Sequence, residues 1–131
     1  AKVPADRAID GASFLPILGG DPIRRKSPLY WHYFRSIGSP KAAMHVGDWM
    51  ILGQWDGPQL GPGGSVHPGD IEIIKSASLT DFQLFNLGDD VGQRIDLGTK
   101  DPQRLARMSE LLVDRYTEVQ REGRTWDVPP R

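Results

Sequence analysis

The chain of 131 residues contains no cysteine. That excludes disulfides, thiolate metal sites and thiol catalysis within it. It also lacks an excess of charge: 16 Lys and Arg stand against 17 Asp and Glu, for a formal net charge of −1. These charges are mixed along the sequence. No basic stripe with interleaved aromatics is present, so nucleic-acid binding has no electrostatic basis. No apolar run approaches the length of a membrane span. The three histidines, at 32, 45 and 67, show no close ligand spacing, which argues against a zinc site. The glycine-rich stretch Gly61-Pro62-Gly63-Gly64 is not followed by Lys and Ser or Thr, so it is not a phosphate-binding P-loop.

What the chain does have in quantity is glycine (15) and proline (11). They cluster, which points to long loops between folded elements rather than to disorder. With 38% hydrophobic and 25% charged residues, the composition suits one globular domain. The start, Ala1-Lys2-Val3-Pro4, is loop-like and lacks Met, and reads as a piece of something longer.

Residues 1–27 are expected to be mostly irregular, a linker with one short helical turn at Ser13–Leu18 stopped by Gly19-Gly20. Pro28–Phe34 is rich in aromatic and β-favouring residues and reads as a strand. Lys41–Val46 and Trp49–Gly53 read as two more, joined by the two-residue link Gly47-Asp48, a hairpin signal. Asp56–Pro68 reads as loop. Asp70–Ser78 fits either a short helix or an irregular cover. Phe82–Leu87 largely alternates and reads as a fourth strand with one wet face.

Asp101-Pro102 is a helix start, with Asp as cap and Pro at the first helical position. Leu105, Met108, Leu111, Leu112, Tyr116 and Val119 follow at three- and four-residue spacings, and Gly123 closes the helix. The expected class is α+β: a small antiparallel sheet of about four strands packed against one long C-terminal helix.

Among single residues, His32 and Arg35 have two readings: groups lining a binding cleft, or ordinary residues of a half-exposed sheet face. Trp31 and Trp49 are expected in the core, and Trp55, beside the Gly/Pro loop, at a cleft edge. The Asp89-Asp90 pair, in a late turn, reads as structural.

Four segments, in order, resemble the end of the sulfatase family of the alkaline-phosphatase-like superfamily. Asp10–Gly20 is similar to the family's D-G-x-S-L-x-P-L-L-x-G. Pro28–Tyr33 resembles P-L-(F/Y)-W-(E/H), and Ala43–Leu52 resembles A-(V/I)-R-x-G-D-W-K-L-I. Gln83–Leu97 resembles E-L-Y-D-L-x-x-D-P-x-E-x-x-N-L through Leu84, Leu87, Asp90 and Leu97. Departures include His45 for Arg, Met50 for Lys, Asn86 for Asp and Asp96 for Asn.

The resemblance implies residues 28–131 as a sulfatase C-terminal subdomain, of the kind found in arylsulfatases and N-acetylgalactosamine-6-sulfatase-like enzymes. Such enzymes hydrolyse sulfate esters with a formylglycine made from the Cys or Ser of a (C/S)-x-P-x-R motif, supported by calcium. Here the nearest match is Gly20-Asp21-Pro22-Ile23-Arg24, with glycine at the nucleophile position. The implied partner is therefore an upstream catalytic domain that carries the formylglycine and the calcium. This chain is expected to be non-catalytic, to hold no cofactor, and to help wall a cleft for a sulfated glycan, with His32, Arg35 and Trp55 as candidate contacts. The family suggests export or a periplasmic or lysosomal location. The alternatives are an independent carbohydrate-binding module, drawing on the four tryptophans, or an oligomerisation module.

Overall fold

A computed structural model of the chain describes residues 10–34, 41–60, 68–123 and 125. Seven elements follow one another: α1 (Leu15–Leu18), β1 (Leu29–His32), β2 (Ala42–Val46), β3 (Trp49–Trp55), α2 (Pro68–Ser76), β4 (Leu79–Asn86) and α3 (Pro102–Glu122). The strands form one antiparallel sheet in the order β1-β2-β3-β4, backed by the long final helix. The α+β class expected from the sequence is the one observed.

Local chemistry sets the turns. Gly47 takes φ +60° in the β2–β3 hairpin, a conformation that costs an L side chain strain. Asp101 caps α3 by accepting from the Arg104 backbone N–H at 3.0 Å, and Pro102 occupies the first turn. Gly123 ends the helix, its N–H donating to the Val119 carbonyl at 2.8 Å.

Strand alternation divides the sheet into two faces. The register pairs Tyr30 with Met44, Met44 with Ile51 and Ile51 with Leu84, so these four share the face under α3. Met44, Ile51, Leu84, Leu112 and Tyr116 are the largest fully buried side chains. The second face carries Leu29, Trp31, Ala43, Met50, Leu52 and Phe85, and none of these belongs to the core cluster.

Several boundaries and burial assignments differ from expectation. β1 is shorter than Pro28–Phe34, because Phe34 already lies in a turn. β3 runs on to Trp55, and Pro68 is the first residue of α2 rather than the end of a loop. Of the two readings for Asp70–Ser78 the helix is observed, shifted to Pro68–Ser76. β4 begins at Leu79, because its pairing to β3 passes through a bulge. Two residues, Asp81 and Phe82, face Gly53 alone, and Asp81 takes φ +47° there.

The β4 alternation does not give one wet face. Leu84 and Phe85 are both buried although they point to opposite sides. Trp31 is not core: it is 49% exposed on the outer face. Trp49 is half-buried and packs against the core, with the Arg104 guanidinium 3.9 Å from its ring centroid. In the α3 stripe, Met108, Leu112 and Tyr116 are buried as expected, but Leu111 is 47% exposed at the stripe's margin.

The turn after β4 is held by carboxylates. Asp90 accepts from the backbone N–H groups of Arg94 (2.6 Å) and Ile95 (2.9 Å). Asp96 Oδ1 accepts from those of Leu84 (3.1 Å) and Gly98 (2.8 Å). Asn86 Nδ2 donates to Asp89 at 2.7 Å. The Asp89-Asp90 pair thus has the structural role read from its position.

Candidate functional site

Polar groups of unusual environment converge where the edge strand β1 meets the flank of α3. Alternation turns Tyr30 and His32 to the helix side of the sheet. The His32 ring lies 4.9 Å from that of Tyr116 on α3, 5.3 Å from Phe34 and 6.5 Å from Tyr30, centroid to centroid. Its Nε2 is buried and has no hydrogen-bond partner among the described residues, and the same holds for the Tyr30 hydroxyl. Burial lowers the His32 pKa, since an apolar cage disfavours imidazolium. Burial likewise raises the pKa of Tyr30, with a smaller contribution from Tyr116. Tyr116 is pushed up to about 12, mainly by burial. The site therefore holds a neutral imidazole and two neutral phenols.

Tyr116 is partnered on its far side. Its hydroxyl donates to the Ala77 carbonyl at 2.9 Å, and Gln120 Nε2 donates to the same carbonyl (2.9 Å) and to that of Ile74 (2.8 Å). Lys75 reaches the carbonyls of Gln120 and Gly123, tying α2 to the end of α3.

Beside this cage lies an open cleft of about 530 Å³, lined by Ser27, Tyr30, Met44, Leu111, Arg115 and Arg121 among others. Arg115 forms ion pairs with Glu118 at 2.6 Å and with Asp10 at 2.7 Å. The hydrogen bond to Glu118 is the largest influence holding its guanidinium charged. Asp10 belongs to the segment before α1, so this contact ties that segment to α3. Sequence reasoning missed Arg115 and Tyr30. The partner of Arg115 is 105 positions away, and no periodicity announces such a pair.

The candidates read from the sequence are not gathered at one place. His32 lies at the β1–α3 junction. Trp55 is 8% exposed and belongs to the core cluster, not to a cleft edge. Gly57 packs on its ring: a Cβ added there would sit 3.2 Å from Trp55 and 3.1 Å from Ala77. Trp55 is also two strands away from His32, a separation of about 10 Å from strand spacing alone. Arg35 lies outside the described residues, as do His67, Trp126, the Gly61–Gly64 loop and the turn at 37–40.

Among the described residues no group of three or more His, Asp or Glu is placed to hold a metal ion. No described helix is long and apolar enough to cross a membrane. Compared with protein-family models and with curated protein sequences, the chain matches none.

Proposed function

We propose that this chain is the C-terminal subdomain of a sulfatase-type hydrolase, without catalytic chemistry of its own, and that it walls a cleft for a sulfated glycan. The observation that carries the reading is the order in which the four resembling segments fall on the structure. Asp10–Gly20 contains α1, and Pro28–Tyr33 contains β1. Ala43–Leu52 spans the β2–β3 hairpin. Gln83–Leu97 covers the end of β4 and the turn held by Asp90 and Asp96. The long helix follows.

A second feature supports the reading. Phe14, Leu15, Ile17 and Leu18 in and before α1 are all exposed. Apolar surface of this kind marks a place where another body packs. An upstream domain carrying the formylglycine and its calcium ion is the partner proposed for it.

Within this chain the nucleophile position of the nearest motif match is Gly20, at φ +86° with open space around it. It offers no atom for oxidation or attack. The contribution proposed for the chain is positional. Tyr30 lines the cleft together with Arg115 and Arg121, and guanidinium groups are donors suited to sulfate oxygens.

The test is expression of the longest natural reading frame that contains these residues, with and without residues 28–131, and assay on an aryl sulfate. Turnover by the long form and none by the 131-residue chain is expected. Turnover by the chain alone, or a reading frame with no Cys or Ser two places before Pro-x-Arg, would refute the assignment.

A further inference from the structure

Strand β1 is one edge of the sheet, unpaired on its outer side among the described residues, and its hydrogen-bonding pattern is defined by one contact beyond it. The Tyr33 N–H donates to the Lys41 carbonyl at 2.9 Å. In antiparallel pairing the bonded residues alternate. Trp31 opposite Ala43 and Leu29 opposite His45 are therefore the bonded pairs, and Tyr30 and His32 turn their backbone N–H and C=O groups outward. Among the described residues no backbone hydrogen bond reaches these groups. β1 is short, at four residues, but within Leu29–His32 there is no Lys, no Pro and no bulge to block pairing.

We propose that β1 is a self-association edge, pairing antiparallel with β1 of a second copy of this chain about a two-fold axis at Trp31. The inference goes beyond the family reading and does not rest on it.

Three features favour a second copy as the occupant. First, the exposed groups are self-complementary. With the axis at Trp31, Tyr30 faces His32 of the second copy, and the two N–H and two C=O groups of each strand close four hydrogen bonds. Second, the same register sets the Tyr30 and His32 side chains, both on the helix side of the sheet, next to their counterparts in the second copy, one phenol beside one imidazole. Third, there is room. Helix α3 packs over β2, β3 and β4, and the 530 Å³ cleft stands between its flank and β1. The cleft wall carries both signs, Arg115 and Arg121 with Asp114 and Glu118, so two such walls meet without net repulsion. On the outer face Trp31, 49% exposed, would stack on its own copy, with Tyr33, 62% exposed, close by.

The absence of cysteine makes the test clean. Sedimentation of the 131-residue chain from 5 to 500 µM should show a concentration-dependent dimer. The Trp31→Lys variant sets two like charges across the axis and should shift association weaker by at least tenfold, with an unchanged circular dichroism spectrum because Trp31 is outside the core. Trp31→Cys places two thiols in a pair whose Cα atoms are about 4.5 Å apart, within disulfide reach, and should give a covalent dimer on mild oxidation. Gln54→Cys, on the same face but five strand spacings, about 24 Å, from its copy, should not. Amide exchange at Tyr30 and His32 should slow as concentration rises. A monomer over the whole range overturns the proposal. So does a dimer indifferent to Trp31→Lys, which would put the contact elsewhere.

Discussion

Leu111 and Leu112 are adjacent leucines on one helix, and only burial separates them: Leu112 is 0% exposed and Leu111 47%. Truncating each to Ala removes the same atoms and changes helix propensity by the same small amount. At Leu112 the loss of about three buried carbon groups costs about 2–2.5 kcal/mol at roughly 0.8 kcal/mol each. A cavity contribution is added, because the neighbourhood cannot close. Gly53 of β3 lies beneath it, fixed between β2 and β4, and a Cβ built on Gly53 would lie 3.3 Å from a Leu112 methyl. The expected total is about 3–5 kcal/mol. At Leu111 the expected cost is under about 1 kcal/mol.

Urea unfolding reads both. With a slope of about 1.5 kcal/mol/M, Leu112→Ala moves the midpoint down by about 2 M or more and Leu111→Ala by well under 1 M, at constant slope. The contact with Gly53 adds a further check. Gly53→Ala alone is crowded by Leu112, Phe82 and Leu79, but in the Leu112→Ala background its methyl enters the vacated space. The double variant should therefore be more stable than the sum of the two singles. Equal costs at 111 and 112 would refute the helix orientation, and strict additivity would refute the Gly53 contact.

Three further outcomes are expected. Tyr116→Phe should cost about 0.5–1.5 kcal/mol in the same assay, at the mild end, because the Ala77 carbonyl keeps Gln120 as a donor. Asp101→Ala should lower the melting temperature and speed amide exchange in the first turn of α3, since the cap to Arg104 is lost. The side-chain hydrogen bond from Arg104 lowers the Asp101 pKa, so the cap's contribution is present above the unfolded carboxyl pKa and fades as pH falls through the folded value. His32 behaves as a base with a lowered pKa: above about pH 6.5 both states are neutral there, and below it the unfolded chain takes up the proton first. Stability should thus fall on acidification below pH 6.5, and His32→Phe should flatten that slope in urea titrations at pH 5–7. An unchanged slope would show that the His32 cage is not closed.

How far the fold was legible depended on whether a residue's environment was local. The cap and first turn of α3 follow from Asp101-Pro102, the helix end from Gly123 and the hairpin from Gly47-Asp48, because each is dictated by backbone geometry within a few residues. The core stripe through Met108, Leu112 and Tyr116 follows from helical period. The same period included Leu111, because a hydrophobic stripe does not state where the opposing sheet stops.

The tryptophans show the limit most clearly. Trp31 and Trp55 are both aromatic and both sit in strands, yet one is outside and one inside. Strand parity decides that, and parity is set by register against β2 and by the β3–β4 pairing, neither of which is a property of the segment itself. The bulge at Asp81-Phe82 shifts the β4 boundary for the same reason.

By itself the sequence determined the α+β class, the rough positions of the strands along the chain and the long capped helix, since propensity, turn chemistry and periodicity act over short range. Only the tertiary structure decided that Asp10 reaches Arg115, that His32 is caged against Tyr116, and that β1 stands at an edge of the sheet. Those are relations between distant segments. They are fixed by the packing of one element on another, and nothing in a single stretch of residues encodes which partner it meets.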